Sequence, residues 1–130
     1  MAGKAEQMSF EDRGEDAAEV RAQSWSTDTG AVVCRLVGDL DLDNLGPARS
    51  LLEEALAMRP AALVVDLAGV TFCDSSGLNL LLQIRLDAQQ AGVPMRLAPV
   101  PDQVARLLDI TGATGVFSIH PSIDEAVSEN

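Results

Sequence analysis

The stretch Leu63-Val64-Val65-Asp66-Leu67-Ala68-Gly69-Val70-Thr71-Phe72-Cys73-Asp74-Ser75-Ser76-Gly77-Leu78-Asn79-Leu80-Leu81-Leu82-Gln83-Ile84-Arg85-Leu86 changes its apolar period halfway along. Residues 62–67 form a continuous apolar run broken by one aspartate, the pattern of a strand covered on both faces. From Ser75 to Ala91 apolar residues recur at helical spacing, and Gly92 supplies a C-terminal stop. The junction Asp74-Ser75-Ser76-Gly77 places two hydroxyls and a carboxylate where the helix begins. Asp74 or one of the serines should cap that helix, a role worth about 1 kcal/mol. One cap does not require all three groups. Gly77 in the first turn is unfavourable by about 1 kcal/mol, and its lack of a side chain suggests room for another molecule beside the serines.

Working outward, residues 31–37 read as a strand. Residues 21–26 alternate weakly, as an edge strand does, and Thr27-Asp28-Thr29-Gly30 has turn chemistry, so the two should form a hairpin. Gly38-Asp39-Leu40-Asp41 closes the strand and opens a loop. Residues 47–58 carry a helical period through Leu51, Leu52, Ala55 and Leu56, with Asn44 as the expected cap and Arg59-Pro60 as the stop. Downstream, residues 94–98 read as a short strand. Residues 102–110 read as a helix with Val104, Leu107 and Leu108 on one face and Gly112 past its end. Residues 116–119 read as a last strand. Ser122 should cap a helix over 123–128, with Glu125 completing a capping box. Strands alternating with helices predict an α/β fold: a mixed, mostly parallel sheet with an N-terminal hairpin and about four α-helices.

A chain of 130 residues with 47% apolar content makes one domain and needs no disulfide or metal staple. Twenty acids against nine bases give a net charge of −11, which argues against nucleic acid or an anionic membrane as partner. Residues 1–19 carry six acids and two bases without an apolar period, and read as a disordered acidic tail before an ordered domain over 20–130. No run is long enough to span a membrane and no apolar leader is present, so a cytoplasmic location is expected. Cys34 and Cys73 lie in apolar runs and read as reduced, buried thiols.

Little points to catalysis. Neither standard Gly-rich phosphate loop is present, nor is Gly-x-Ser-x-Gly. His120 is the lone histidine, with no evident serine or cysteine partner, and reads as a strand-end surface residue. Asp39, Asp41 and Asp43 are close in sequence, but no glutamate closes a calcium-binding loop. No catalytic residue, metal site or cofactor is therefore expected. On the helix after Asp74, Gly77, Leu80, Leu81, Ile84, Ala88 and Ala91 share a face that should meet the sheet. Leu78, Leu82 and Leu86 fall on roughly the opposite face with Arg85 and Gln89. They are either buried under a neighbouring helix or form an apolar contact patch beside the serines.

Three segments, in this order and spacing, resemble the STAS-domain anti-sigma factor antagonists of bacteria. They are Gly38-Asp39-Leu40-Asp41, the run from Val65-Asp66-Leu67 to Phe72-Cys73-Asp74-Ser75-Ser76-Gly77-Leu78, and Ile110-Thr111-Gly112 to Val116-Phe117-Ser118-Ile119. The resemblance covers residues 20–127 and implies a single STAS-like domain. It implies that the unphosphorylated chain binds an anti-sigma factor with serine kinase activity and so frees a sigma factor. It implies that phosphorylation of the serine directly after Asp74, which is Ser75, ends that binding, and that a serine phosphatase resets it. Asp41 matches the family's loop aspartate and Asp74 the one before the acceptor. Chemistry alone does not choose between Ser75 and Ser76; the family pattern does. With the helix pattern, this makes Asp39, Asp41, Asp74, Ser76, Gly77, Leu78, Asn79 and Leu82 the expected partner-binding residues. The chain departs from the family at Asn79, where glycine is frequent, at Ala113, where a larger apolar residue is common, and in its longer acidic tail. The rival expectations are a STAS scaffold that is never phosphorylated, in a sensory or lipid-transport assembly, and a small nucleotide-binding enzyme. A phosphate adds about −1.5 to −2 charges, and the helix start, with its dipole and free N–H groups, should tolerate it.

Overall fold

In the computed structural model, which describes residues 21–128, the strand before Asp74 and the helix after it join as the sequence predicts. Strand β1 (Arg21–Ser26) turns through Thr27–Gly30 into β2 (Ala31–Leu40), and the two pair antiparallel with Trp25 opposite Val33. Helix α1 (Gly46–Ala57) leads to β3 (Ala62–Cys73), helix α2 (Ser75–Ala91) to β4 (Met95–Leu97), and helix α3 (Asp102–Ile110) to β5 (Ser118–Ile119). A final short helix, α4 (Ile123–Ser128), follows. The proposed tail over residues 1–19 lies outside the described residues.

The strands lie in chain order, β1-β2-β3-β4-β5, with every pair after the hairpin parallel. Successive right-handed crossovers that step in one direction place their helices on one face of the sheet. The core divides accordingly. Val32, Cys34, Leu36, Leu63, Val65, Leu67 and Leu97 face one way, with Leu52 and Leu56 of α1, Leu80, Leu81 and Ile84 of α2 and Val104 and Leu108 of α3. Val33, Val64 and Ala98 face the other way and meet Ala126 of α4, flanked by Trp25 and Ile123. Burial on both faces is why these strands read as unbroken apolar runs rather than alternating ones.

The one charge inside the β3 run is paired. Asp66 is 2% exposed. It accepts Nε–H of Arg35, its register partner on β2, at 2.8 Å, and its other oxygen accepts the Ala68 N–H at 2.9 Å. The Arg35 guanidinium lies 4.8 Å from the centre of the Trp25 ring.

Several boundaries differ from the sequence reading. β2 does not end at Val37 but runs on to Leu40, and β3 continues to Cys73, because the two strands go on pairing through register shifts near Val37 and Gly38. Asp39 is therefore a strand residue, not a loop residue. Asn44 does not cap α1. The helix begins after Leu45 without a side-chain cap, and the Asn44 amide donates to Asp41 Oδ1 at 2.9 Å instead. The last strand shrinks to two residues because Thr114–Val116 winds into a 3₁₀ turn. The bounds of α2 and α3 are as predicted, with Gly92 closing α2 at φ 73°. Ser122 Oγ accepts the Glu125 N–H at 3.1 Å, which is half of the expected capping box.

Candidate functional site

Parallel pairing carries the ends of β2 and β3 to the same edge of the sheet, with Leu40 opposite Cys73 and Asp39 opposite Phe72. The Asp74 N–H adds one more link, donating to the Leu40 carbonyl at 3.2 Å. Asp74 is thus held beside the segment that contains Asp39 and Asp41. Asp39 accepts the Thr71 hydroxyl proton at 2.7 Å. Asp41 folds its own loop, accepting from the Asp43 N–H at 3.2 Å and from the Asn44 amide. Asp39 at the end of β2, Asp41 in the loop after it, Asp74 and both serines therefore come together at the carboxyl edge.

Asp74 is the cap of α2. Its backbone is extended, and its Oδ1 accepts the N–H of Ser76 at 2.9 Å and of Gly77 at 3.2 Å. The sequence left the choice of cap open, and the carboxylate fills it, so Ser76 contributes its N–H and not its half-buried hydroxyl. Ser75 is exposed, and its hydroxyl has no hydrogen-bond partner among the described residues. Two of the first-turn N–H groups expected to receive a phosphate are already occupied by Asp74. A phosphate on Ser75 would therefore sit beside a carboxylate rather than in a free backbone cradle.

Two expected contact residues are instead structural. A Cβ on Gly77 would lie 2.5 Å from the Leu40 carbonyl oxygen, 2.8 Å from Leu40 Cβ and 2.9 Å from Cys73 Sγ. Gly77 makes room for the chain's own β2 and β3, not for a visiting molecule. Leu78 is 6% exposed and belongs to the main core, which settles its face in favour of burial. Leu82 is half-buried and packs against that core. Ser75, Asn79 and Leu86 are exposed, and Leu82 lies between them at helical spacing, so a narrower stripe runs down the outer flank of α2.

Sequence reasoning missed two exposed apolar residues at this edge. Leu42 is 73% exposed in the loop after β2, and Phe72 is 47% exposed at the end of β3. The signal was present: Leu42 stands between Asp41 and Asp43 with no apolar period to join, and Phe72 is one of three phenylalanines in a chain only 3% aromatic.

Cys73, beside this junction, is half-buried rather than buried. Burial, with the Asp74 charge second, pushes its thiol up to about 11. Burial alone pushes Cys34 up to about 12. Both are protonated at neutral pH, which makes them poor nucleophiles. His120 does have a serine neighbour: Ser118 Oγ lies 3.0 Å from its Nε2, because residues two apart on a strand share a face. Among the described residues no three His, Cys, Asp or Glu side chains converge as metal ligands, and no helix is long and apolar enough to cross a membrane.

The fold and site define a small α/β domain that presents an unbonded serine at the start of its second helix, on an acidic edge with apolar neighbours. The chain belongs to the STAS domain family, whose profile matches residues 24–126. It is 34% identical over 100 residues to the anti-sigma F factor antagonist of Paenibacillus polymyxa, covering 76% of this chain and 83% of that one. Its fold matches the crystal structure of an anti-sigma factor antagonist from Mycobacterium paratuberculosis with a TM-score of 0.75 at 24% identity, covering 85% of this chain and 93% of that one. It also matches the Bacillus cell-fate determinant SpoIIAA in its phosphorylated form, with a TM-score of 0.63 at 19% identity, covering 82% of this chain and 96% of that one.

Proposed function

We propose that this protein is an anti-sigma factor antagonist controlled by phosphorylation of Ser75. In its unphosphorylated form it binds an anti-sigma factor that is also a serine kinase, and so releases a sigma factor. Phosphate on Ser75 ends the binding, and a serine phosphatase restores it. The protein is then a substrate and a binding module, not a catalyst. The observation that carries this reading is the contrast at the start of α2: the Ser75 hydroxyl is exposed and unbonded, while Ser76 is half-buried behind the Asp74 cap. The similarity to named antagonists supports the choice of partner.

Electrostatics supply the off state. Asp74 is adjacent in the chain, and Asp39 and Asp41 flank it across the β2–β3 edge. A phosphoserine dianion added there meets carboxylates and a first turn whose N–H groups are partly spent. Any partner surface fitted to a neutral hydroxyl, Asn79 and the apolar Leu42 and Phe72 must then desolvate that dianion. A loss of about 3 kcal/mol is more than a hundredfold in affinity.

Phosphopeptide mapping after incubation with the cognate kinase and ATP tests the assignment. Phosphate is expected on Ser75. Ser75→Ala should bind the kinase-regulator but accept no phosphate, Ser75→Asp should bind poorly, and Ser76→Ala should still be phosphorylated. Phosphate confined to Ser76, or equal tight binding by both Ser75 variants, would sink the proposal. Turnover of ATP by the isolated chain would point to an enzyme instead.

A further inference from the structure

Arg96 is a buried cation with no ion-pair partner among the described residues. It lies on β4 between Val64 and Ser118, on the face covered by α4, and is 9% exposed. Its Nη1 donates to the Ala126 carbonyl at 2.8 Å. Among the described residues no carboxylate lies within ion-pair distance of it; Asp66, the buried carboxylate, pairs instead with the partly exposed Arg35. Arginine is rarely buried unless paired, because removing the charge from water is expensive. One carbonyl at the end of a six-residue helix is a weak substitute for an anion.

The guanidinium also has unused donors. No buried side-chain nitrogen lacks a partner, so the N–H groups that Ala126 does not take reach open space. Arg96 lines a cavity of about 170 Å³ shared with Thr29, Ala31, Ala62, Pro94 and Val127. The cavity lies where Val127, near the end of α4, meets Ala31 and Ala62 at the starts of β2 and β3. More of its lining is apolar than polar, which strengthens an ionic contact there relative to open water. Drug-sized ligands need about 300–1,000 Å³, so this volume suits a bare anion and not a nucleotide.

We propose that Arg96 and this cavity form a binding site for a small oxyanion such as inorganic phosphate. The planar fork of the guanidinium matches two oxygens of such an anion. The Thr29 hydroxyl at the rim, now 3.0 Å from Thr27 Oγ1, is placed as a second donor. The site is separate from the Ser75 edge. Arg96 pairs with Val64, and the stretch of β3 from Val64 to Cys73 puts roughly 30 Å between the two at about 3.3 Å per residue. The oxyanion is therefore not the phosphate of the same molecule's Ser75.

The test is a phosphate titration of the full chain, followed by ¹H–¹⁵N spectra and compared with sodium chloride at matched ionic strength. Phosphate should produce saturable shifts at Arg96 Nε–H and at the amides of Thr29 and Ala62, with little change at Ser75. Arg96→Lys keeps the charge but loses the fork, and should weaken the apparent affinity by about tenfold or more. The wild-type titration stands alone if that variant fails to fold. Absence of a saturable response, an equal response to chloride, or undiminished binding by folded Arg96→Lys would overturn the proposal. The other source of an oxyanion is a carboxylate of the chain itself, such as Glu129, two residues past Val127 of the lining. Phosphate binding by Glu129→Gln but not by the wild type would assign the guanidinium to that carboxylate and overturn the site for a free anion.

Discussion

Gly77 and Leu78 show how a single residue can be read correctly as special and yet for the wrong reason. A glycine in a first helical turn and a leucine on the apparent outer face both suggest a visiting partner. Gly77 is explained by Leu40 of β2, more than thirty residues earlier, and by Cys73 of β3, and Leu78 by its place in the main core. In an ordinary helix Gly→Ala gains about 1 kcal/mol. Here the added Cβ would meet a backbone oxygen at 2.5 Å. Gly77→Ala should therefore destabilise the protein by about 1–3 kcal/mol, and a raised melting temperature would refute the packing role. Leu78→Lys would bury a charge in the core. Loss of cooperative unfolding is expected, rather than a folded protein with weakened binding. The start of the helix at Asp74-Ser75, by contrast, was legible from the local pattern, although the residues alone left open which of the three polar groups caps it.

At the scale of elements, helix α2 was readable from end to end. Its apolar period, its acidic cap and Gly92 all lie within the segment itself. Removing the cap isolates one of these contributions. Asp74→Ala should cost about 1 kcal/mol in denaturant unfolding, while the serine-to-aspartate exchange at Ser75 leaves the cap in place. An unchanged midpoint for Asp74→Ala would mean that packing alone holds the first turn. The strands were less legible. β2 and β3 each outrun their apolar patterns, since the last residues of each are retained by pairing with the other. A ladder between distant segments leaves no periodic trace in either one. The 3₁₀ turn at Thr114–Val116 likewise shortened a strand that composition alone would lengthen.

For the whole molecule, composition makes the alkaline limb of stability unusually simple to interpret. The chain has no tyrosine, and its nine bases are one lysine and eight arginines, which leaves the two thiols as the main groups titrating between pH 9 and 12. Folding raises Cys34 to about 12 and Cys73 to about 11 from the ordinary thiol value of 9.0. The unfolded chain thus loses these protons first. Their stabilising contribution is complete below about pH 9 and is lost as pH rises toward the folded values. Above pH 9 the fully buried Cys34 should cost about 1.4 kcal/mol per pH unit. Denaturant unfolding at pH 7, 9 and 10.5 should show this decline, and Cys34→Val should flatten it; an equal slope in that variant would exclude the thiol as its source. The α/β class, the hairpin, the helix boundaries and the serine-bearing junction were determined by sequence, because period, caps and turn chemistry act over a few neighbouring residues. The tertiary structure alone decided which side of α2 faces water, why position 77 is glycine, that Leu42 and Phe72 stand exposed at the carboxyl edge, and that Arg96 opens onto a cavity. Those outcomes depend on which distant strands and helices meet, and contacts of that kind are set by packing in three dimensions rather than by any local run of residues.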